Sequence, residues 1–463
     1  MMAALFAPFP LAEKEYLVSE RLLWLMDQAI AKGVSAVRIA ANAGNSLNVQ
    51  TRLMQTENIA YSQTQSISLE VYYDQRVGTA STNCLEKHAL TRTLEAACAA
   101  ARFAEPDPFA GLPESELLAD PKRLPELDLL HDCPLEPEDL LSACQAAEQA
   151  GFDYAASVTN SEGAALTATQ EIHLLACKSQ MQQQPFLISQ ANSYYNLSCA
   201  LIAEQKNKQA DKQAGSWFDQ AVCYTDLMQP EMLGRKAAER AVQSLGAKTL
   251  NTAKLPVLFD AGAARQLWYA LIKAISGKRI YEKSSFLTHA LGKSILPEHL
   301  SLREQPFMLR GLHSSGFDAE GVATRSKLIV DQGVLQTYIL SSYSGRMLHL
   351  PSTGNAGGVY NLVVTADTLP VSDVIQQIKR GLLVTDVMGQ GVNLVTGNYS
   401  QGASGYWIEN GTICYPVHEI TIAGNLTDMF RNMIAFGADI DKRTSVHTGS
   451  VLIASMQVAG GRA

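Results

Sequence analysis

The chain lacks three features that would each place it in a special class of protein. Its eight cysteines form no CxxC pair, its 37 basic residues are outnumbered by 45 acidic ones, and no apolar run approaches membrane-spanning length. Scattered cysteines in a chain of 463 residues indicate reduced thiols rather than a disulfide framework. A net charge of −8 argues against a nucleic-acid surface, because phosphate binding needs clustered basic residues. We therefore expect a cytoplasmic protein that binds neither nucleic acid nor membrane.

Proline and acidic residues concentrate in one stretch, 104–139, within the first half of the chain. It holds eleven Asp or Glu residues and seven prolines. Such a composition cannot support long helices, and a solvated connector explains it better than an acidic docking site does. We assign this connector to an N-terminal region, 1–250, which is followed by a C-terminal region, 251–463.

Helix and strand signals alternate in both regions. An amphipathic helix is predicted over 13–32, strands over 34–81 and a helix over 85–103. The order helix, strands, helix partly recurs over 137–245, which suggests an internal duplication. The predicted class is α+β. It comprises an N-terminal α+β region with an antiparallel sheet, followed by a C-terminal α+β region rich in antiparallel strands.

Glycine is dense near position 400, where strand signals are also strong. Asn410-Gly411 predicts a tight hairpin turn between two strands. Because glycine has no Cβ, a glycine-lined strand edge can accept an extended peptide through backbone hydrogen bonds. The alternative is that these glycines serve only turns and bulges. The residues that we select as candidate substrate contacts are Gly389, Gly391, Ser404, Gly405, Tyr406 and Trp407.

Long motifs in this part of the chain resemble the TldD/PmbA family, and within it the PmbA (TldE) branch. They are MGQGVNLVTGNYSQGASGYWIENG from position 388, YPVHEITIAGNL from 415, and GFDAEG and STGNAGG between 316 and 358. Weaker similarity reaches back towards the N-terminus. The resemblance implies a cytoplasmic bacterial peptidase system. In it, TldD-type and TldE-type subunits assemble, trim small peptides and help to mature certain peptide antibiotics.

The same resemblance implies a zinc motif in TldD-type members, HExxxH on a helix, with a cysteine further along as third ligand. The helix that matches by position is 261–276, and Trp268, Tyr269 and Lys273 stand at the His, Glu and His positions. Tryptophan only donates hydrogen bonds, lysine is normally charged and tyrosine is normally protonated, so these residues are not a zinc ligand set. The segment 439–449 also has no cysteine. We expect no zinc in this chain and zinc in a TldD-type partner.

Histidine elsewhere gives no better metal site. None of the nine histidines pairs with another at the i, i+4 spacing of a helical site. His418-Glu419 is a lone HE dipeptide in a segment with strand character, for which a polar or packing role is the ordinary interpretation. A site assembled from residues distant in sequence stays open.

The function that we predict is a PmbA/TldE-type subunit, which supplies part of a peptide-sized chamber to a zinc-bearing TldD-type partner. The alternative from another class is a non-catalytic peptide-binding or assembly protein that acts as a homodimer. Co-purification with a partner that carries HExxxH would separate the two. A weaker third hypothesis is an independent hydrolase. Replacing Gly405 by Val is expected to impair peptide processing by the complex without unfolding the subunit.

Overall fold

The N-terminal half of the molecule is one antiparallel sheet covered by four helices. The computed structural model describes residues 11–131, 136–205 and 212–460. The helices are α1 (Leu11–Ala31), α2 (Lys87–Phe103), α3 (Pro137–Phe152) and α4 (Pro230–Gln243). The strands are β1 (Ala36–Arg52), β2 (Gln55–Tyr73), β3 (Arg76–Thr82), β4 (Val158–Ser179), β5 (Phe186–Glu204) and β6 (Lys212–Ala221).

Element order repeats within this half. This half contains two units, and each unit has the order helix, three strands, helix. The six strands lie in the order β3-β2-β1-β4-β5-β6, and every neighbouring pair is antiparallel. The two units therefore meet at the central β1–β4 pair. Two separate apolar cores form, one under α1 and α2 and the other under α3 and α4. The structure has the repeated arrangement that the sequence pattern suggests.

Two equivalent glycines support the repetition. Gly78 in β3 and Gly215 in β6 each lie against the last helix of their unit. A Cβ on Gly78 would come 2.0 Å from the Ala97 carbonyl oxygen, and one on Gly215 would come 2.5 Å from the Ala237 carbonyl oxygen. Only glycine permits so close an approach of helix to strand. The third strand packs on the closing helix in the same way in both units.

The acidic connector is more tightly packed than we predicted. Its described part, 104–131, forms no long helix, as expected, and includes only one short 3-10 turn, Ser115–Leu117. However, Leu127 and Leu129 are buried, and the Leu129 carbonyl accepts a hydrogen bond from the amide of Ser193 in β5 at 2.8 Å. The connector is therefore not wholly solvated, because Leu127 and Leu129 pack inward, whereas Glu126 and Asp128 stay exposed.

The C-terminal half begins with a strand and the helix that matches the zinc motif by position. Its helices are α5 (Ala261–Ala274), α6 (Gly277–Tyr281), α7 (Ser342–Leu348), α8 (Val371–Gln376) and α9 (Leu426–Arg431). Its first strands are β7 (Ala253–Phe259), β8 (Ser301–Glu304), β9 (Lys327–Asp331), β10 (Val334–Leu335), β11 (Leu362–Thr365) and β12 (Thr368–Leu369). The rest are β13 (Arg380–Met388), β14 (Asn398–Glu409), β15 (Thr412–Asn425), β16 (Met433–Gly437), β17 (Val446–His447) and β18 (Val451–Gly460).

Five of these strands close into a hydrogen-bonded ring. The order β7-β13-β14-β15-β18 returns to β7, and β16 and β12 extend the sheet from β18. A smaller sheet has the order β10-β9-β8-β11-β17. The largest apolar core of the molecule lies around α5 and these two sheets. The mixed α+β class with antiparallel sheets is as predicted.

Local signals in the glycine-dense stretch are largely confirmed. The hairpin between β14 and β15 turns at Asn410 and Gly411, whose φ angles of 50° and 74° are those of a type I′ turn. The Asn425 side chain caps α9 by accepting a hydrogen bond from the Thr427 amide. In the described ranges, no helix combines the length and the apolar composition needed to cross a membrane.

Candidate functional site

The face of α5 on which Trp268, the first residue of the degenerate zinc motif, lies is packed shut. The Trp268 side chain is fully buried, and its Nε1 donates a hydrogen bond of 2.9 Å to the Thr448 Oγ1. Tyr269 is half-buried and Lys273 is exposed to solvent. The three side chains therefore do not converge on a common point. Trp268 belongs to the core and fills the space between α5 and the C-terminal segment.

The residues at these positions do not fit a zinc ion. A zinc site needs several His, Cys, Asp or Glu atoms about 2 Å from one point. Across 11–131, 136–205 and 212–460, no three such side chains are close enough to hold a metal. In the HE dipeptide, the Nδ1 atom of His418 lies 4.0 Å from the Oε2 atom of Glu419. We therefore derive no metal-dependent step for this chain.

A long cleft lies beside this closed helix face, between the two halves of the chain. It has three adjoining lobes of about 470, 520 and 730 Å³, and all three are lined by Arg240 of α4 and Thr385 of β13. One wall is β6 with α4, and the opposite wall is β13 with the β14–β15 hairpin. The N-terminus of α5 forms part of the largest lobe. Each lobe has a volume within the range of ligand-binding pockets.

The wall formed by β6 carries a free strand edge. β6 is the last strand of its sheet, and in the described chain it pairs only with β5. Arg443 Nη1 donates a 2.9 Å hydrogen bond to the Phe218 carbonyl, so this carbonyl points away from β5. Along an antiparallel strand, the main-chain N–H and C=O groups of successive residues point alternately towards one neighbouring strand and away from it. The amides and carbonyls of Ala214 and Ser216 consequently point outward as well, towards the cleft that both residues line.

The glycine-dense strand on the opposite wall is not an edge. β14 is paired with β13 on one side and with β15 on the other. A Cβ on Gly405 would come 1.9 Å from the Leu383 carbonyl oxygen, and one on Gly391 would come 1.6 Å from the Ser400 carbonyl oxygen. Our prediction of a glycine-lined strand edge is therefore wrong in its geometry. These glycines permit close strand packing, and Gly405→Val is now expected to destabilise the subunit.

The six predicted contacts are divided by the fold. Ser404, Gly405 and Tyr406 line the cleft. Trp407 is buried and stacks on Tyr415 with ring centroids 6.4 Å apart. Gly389 and Gly391 lie in the turn after β13 and are absent from the cleft walls described above. Adjacent residues of a strand point to opposite faces, which separates Tyr406 from Trp407.

Charged side chains at the cleft form two opposite-sign pairs, and one of them, Arg240–Asp386, joins the two walls. Arg240 Nη2 donates to Asp386 Oδ2 at 2.9 Å and to the Thr385 carbonyl at 3.3 Å. Arg443 binds Asp441 through two nitrogens at 3.0 and 2.8 Å. These two arginines are therefore already paired, whereas Lys236, Glu419 and Lys442 add further charged groups to the lining.

The pKa of the Asp260 carboxyl in the cleft is raised above its ordinary value. Asp260 caps the N-terminus of α5, where its Oδ1 accepts a hydrogen bond from the Ala263 amide. Burial raises the pKa of the Asp260 carboxyl to about 6, and Asp386 nearby adds to this rise. The amide of Ala263 and the charge of Arg240 oppose it. Asp260 thus binds the helix end and faces the lobe that Trp217 also lines.

The GFDAEG and STGNAGG motifs have structural roles in the fold. Asp318 is buried, and its carboxylate accepts hydrogen bonds from the amides of Glu320, Val322 and Ala356. Asn355 Nδ2 donates to the buried Glu304 at 2.7 Å. These contacts tie the two motifs together on the side of the six-stranded sheet away from the helices. The motifs explain the fold of this region rather than the chemistry of the cleft.

Sequence reasoning missed β6. The sequence Lys212–Ala221 combines a central glycine with several polar residues, so it has weak strand character and we did not predict it as a strand. The repeated order of elements in the N-terminal half was the sequence signal that could have predicted β6. If the first unit has three strands before its closing helix, the second unit must have a third strand before α4.

Comparison with known proteins assigns the whole fold to one family. Models of the PmbA/TldA metallopeptidase match 37–101 as domain 1, 131–245 as the central domain and 252–460 as the C-terminal domain. Metalloprotease PmbA of Escherichia coli is 38% identical over 432 residues, which are 93% of this chain and 94% of that protein. A PmbA homologue of Haemophilus influenzae is also 38% identical, covering 96% and 98% of the two chains.

A solved structure extends the likeness to three dimensions. TldE from Thermococcus kodakarensis superposes with a TM-score of 0.82 at 19% identity, over 95% of this chain and all of the other. At this identity the comparison establishes the fold alone.

Proposed function

The chain belongs to the PmbA/TldD metallopeptidase family, and from that premise we propose that it is the peptide-holding TldE-type subunit of a peptidase complex. In this proposal an extended peptide lies in the cleft and pairs with the free edge of β6. A zinc-bearing TldD-type partner supplies the catalytic metal. The peptide is the substrate that the complex cleaves, and the complex works in the cytoplasm.

The observation that carries this proposal is the outward face of β6. Ala214 and Ser216 together offer two amides and two carbonyls in the regular spacing of an antiparallel ladder. A peptide strand gains affinity from such groups whatever its sequence, because every residue except proline carries the same main-chain donor and acceptor. The cleft therefore suits unfolded peptides of varied sequence.

The thiol chemistry agrees with a reducing compartment. All seven cysteines in the described part of the chain are free, and Cys133 lies outside it. Burial raises the pKa of the Cys177 thiol to about 11 and those of Cys144 and Cys199 to about 12, which leaves these groups protonated and unreactive near neutral pH. This supports the cytoplasmic location in the proposal.

A proline substitution on β6 tests the proposed mode of binding. Ser216→Pro removes one outward amide and adds a ring on the cleft side, whereas the bonds to β5 come from the inward groups of neighbouring residues. We expect a fluorescently labelled unstructured peptide to bind the variant about tenfold more weakly or worse, measured by fluorescence anisotropy. Ser216→Ala keeps the amide and is the matched control, with affinity close to that of the wild type.

Equal affinity of Ser216→Pro and Ser216→Ala would contradict the proposal, provided that circular dichroism shows both chains folded. The result separates binding by main-chain groups of β6 from binding elsewhere in the cleft.

A second function is favoured by the packing of Trp268. Because this side chain occupies the place where the motif would need a metal ligand, the chain could act without a peptidase, as a homodimeric peptide-binding or assembly protein. Co-purification from the native host decides between the two. A stoichiometric partner with HExxxH supports the peptidase subunit, whereas a homodimer that binds peptides and recovers no such partner supports the second function.

A further inference from the structure

One lobe of the cleft has a different character from the other two. Its volume is about 520 Å³, and aromatic and aliphatic side chains form most of its wall. The apolar members are Trp217, Leu383, Tyr406, Ile413, Tyr415 and Pro416. Ile413 remains 43% exposed even though it lies on a regular strand. An apolar concavity that stays open to solvent and is rimmed by polar residues commonly marks a binding site.

The lobe lies on the α4 side of β6. The ring of Trp217 lies near three cations: Lys236, at 4.8 Å, and Arg240, at 5.4 Å, belong to α4, and Arg443, at 3.9 Å, belongs to the C-terminal segment. Across the lobe, the Tyr406 hydroxyl donates to the Gln243 side chain of the same helix at 3.4 Å. The hairpin β14–β15 therefore closes the lobe against α4, with Trp217 at its edge.

Strand geometry connects this lobe to the peptide. Residues that lie directly opposite each other on paired antiparallel strands project to the same face. A peptide residue opposite Trp217 or Gly215 would thus point its side chain to the α4 face. Gly215 packs directly against α4, so of these two residues only Trp217 lines the lobe, and the peptide residue opposite Trp217 is the one that would reach it. Residues opposite Ala214 and Ser216 would point to the other face.

We propose that this lobe is a specificity subsite that accepts one bulky apolar or aromatic side chain of the bound peptide. The inference rests on the proposed function, since it needs a peptide strand on β6. Main-chain pairing with β6 then gives an affinity that does not depend on the peptide sequence. The lobe determines the register in which the peptide is bound. Sequence preference would appear at a single residue, with its neighbours on either side projecting away from the lobe.

Peptides that differ at one position test the subsite. The probes are fluorescein-labelled peptides of glycine and serine with a single central leucine, alanine or aspartate, bound to the full chain and followed by anisotropy. Burying the extra methylenes of leucine should make that peptide bind about tenfold more tightly than the alanine peptide. The aspartate peptide should bind no better than the alanine peptide.

The variant Ile413→Asp should abolish this preference, so that the leucine-to-alanine affinity ratio falls from about ten to about one. The matched control is Ile434→Asp, which places the same change on a 55% exposed isoleucine of β16 away from the lobe. The control should keep the ratio of the wild type.

The possible outcomes are distinct. Peptides that bind with equal affinity whatever their central residue overturn the subsite and leave binding along β6 intact. A preference for leucine that survives Ile413→Asp places the selection elsewhere and also overturns the subsite. A chain that binds none of the peptides overturns the proposed function and the subsite together.

Discussion

Two neighbouring parts of the C-terminal half, the motif-bearing face of α5 and the cleft at its N-terminus, contrast in every physical respect. The α5 face is dry, and Trp268 is fully buried with its one polar atom bonded to Thr448. The cleft is open, lined by paired charges, aromatic rings and the free edge of β6. At the position where the family resemblance implies a zinc site, this chain has a packed core. The cleft, in contrast, has open space and groups suited to binding.

The contrast teaches that a position of the motif can be filled by core packing while the helix that carries it keeps its place in the fold. A tryptophan at a ligand position adds apolar volume and a hydrogen bond, so it stabilises the junction between α5 and the C-terminal segment. The cleft depends on separate elements, α4, β6 and the β14–β15 hairpin. The packing of Trp268 and the shape of the cleft therefore depend on different parts of the fold.

We expect the largest effect on stability when the buried Trp268 side chain of α5 is removed. Trp268→Ala should leave a cavity in the main core and reduce the free energy of unfolding by about 3–5 kcal/mol, because a large buried ring is removed. Urea denaturation followed by circular dichroism measures the change. Under native conditions the variant should still bind peptide with the affinity of the wild type, since Trp268 does not line the cleft.

The exposed residue Lys273 on the same helix gives the control. Lys273→Ala should change the free energy of unfolding by less than about 0.5 kcal/mol. If Trp268→Ala lost as little stability as Lys273→Ala, the face of α5 that carries Trp268 would not be packed shut. If Trp268→Ala bound peptide much more weakly than the wild type, this face and the cleft would not be independent of each other.

A smaller effect is expected at the cleft end of α5. The pKa of Asp260 is raised from 3.8 to about 6 on folding, so the unfolded chain loses this proton at lower pH than the folded chain does. This group therefore stabilises the fold fully below about pH 4, and that contribution is lost as the pH rises through about 6. Asp260→Asn keeps a capping side chain and has no such dependence.

We expect Asp260→Asn to be more stable than the wild type near neutral pH, on the order of 1–3 kcal/mol in free energy of unfolding. The difference should shrink towards zero as the pH is lowered to about 4. Urea titrations across this range measure it. A variant less stable than the wild type at neutral pH would show that the Asp260 charge is stabilised, not penalised, by its surroundings.

Much of the fold could be predicted from local signals. Helix periodicity located α1, α2 and α5, and Asn410-Gly411 located the hairpin, because each pattern is a property of a short stretch of chain. The cleft depends on which strands remain unpaired, and pairing is decided by residues far apart in sequence. Ser404 and Tyr406 were predicted as substrate contacts and do line the cleft, but the reason given for them, a strand edge, was wrong.

The same physical limit explains the glycines. A glycine-dense strand is compatible both with a peptide beside it and with its own neighbours at close range, and the sequence cannot distinguish them. Only the position of the Leu383 carbonyl shows that Gly405 is needed for packing inside the sheet. The weakly patterned strand β6, in contrast, gives almost no local signal and provides the edge.

Hydrogen exchange of the backbone amides tests the central claim most directly. The exchange rates of the full chain are compared with and without a saturating unstructured peptide, with Ala214 and Ser216 compared against the amides of β14. The account predicts that peptide slows exchange at Ala214 and Ser216 and changes little within β14, whose amides already lie between two strands. Slowed exchange confined to β14 or to the face of α5, with Ala214 and Ser216 unaffected, would contradict it.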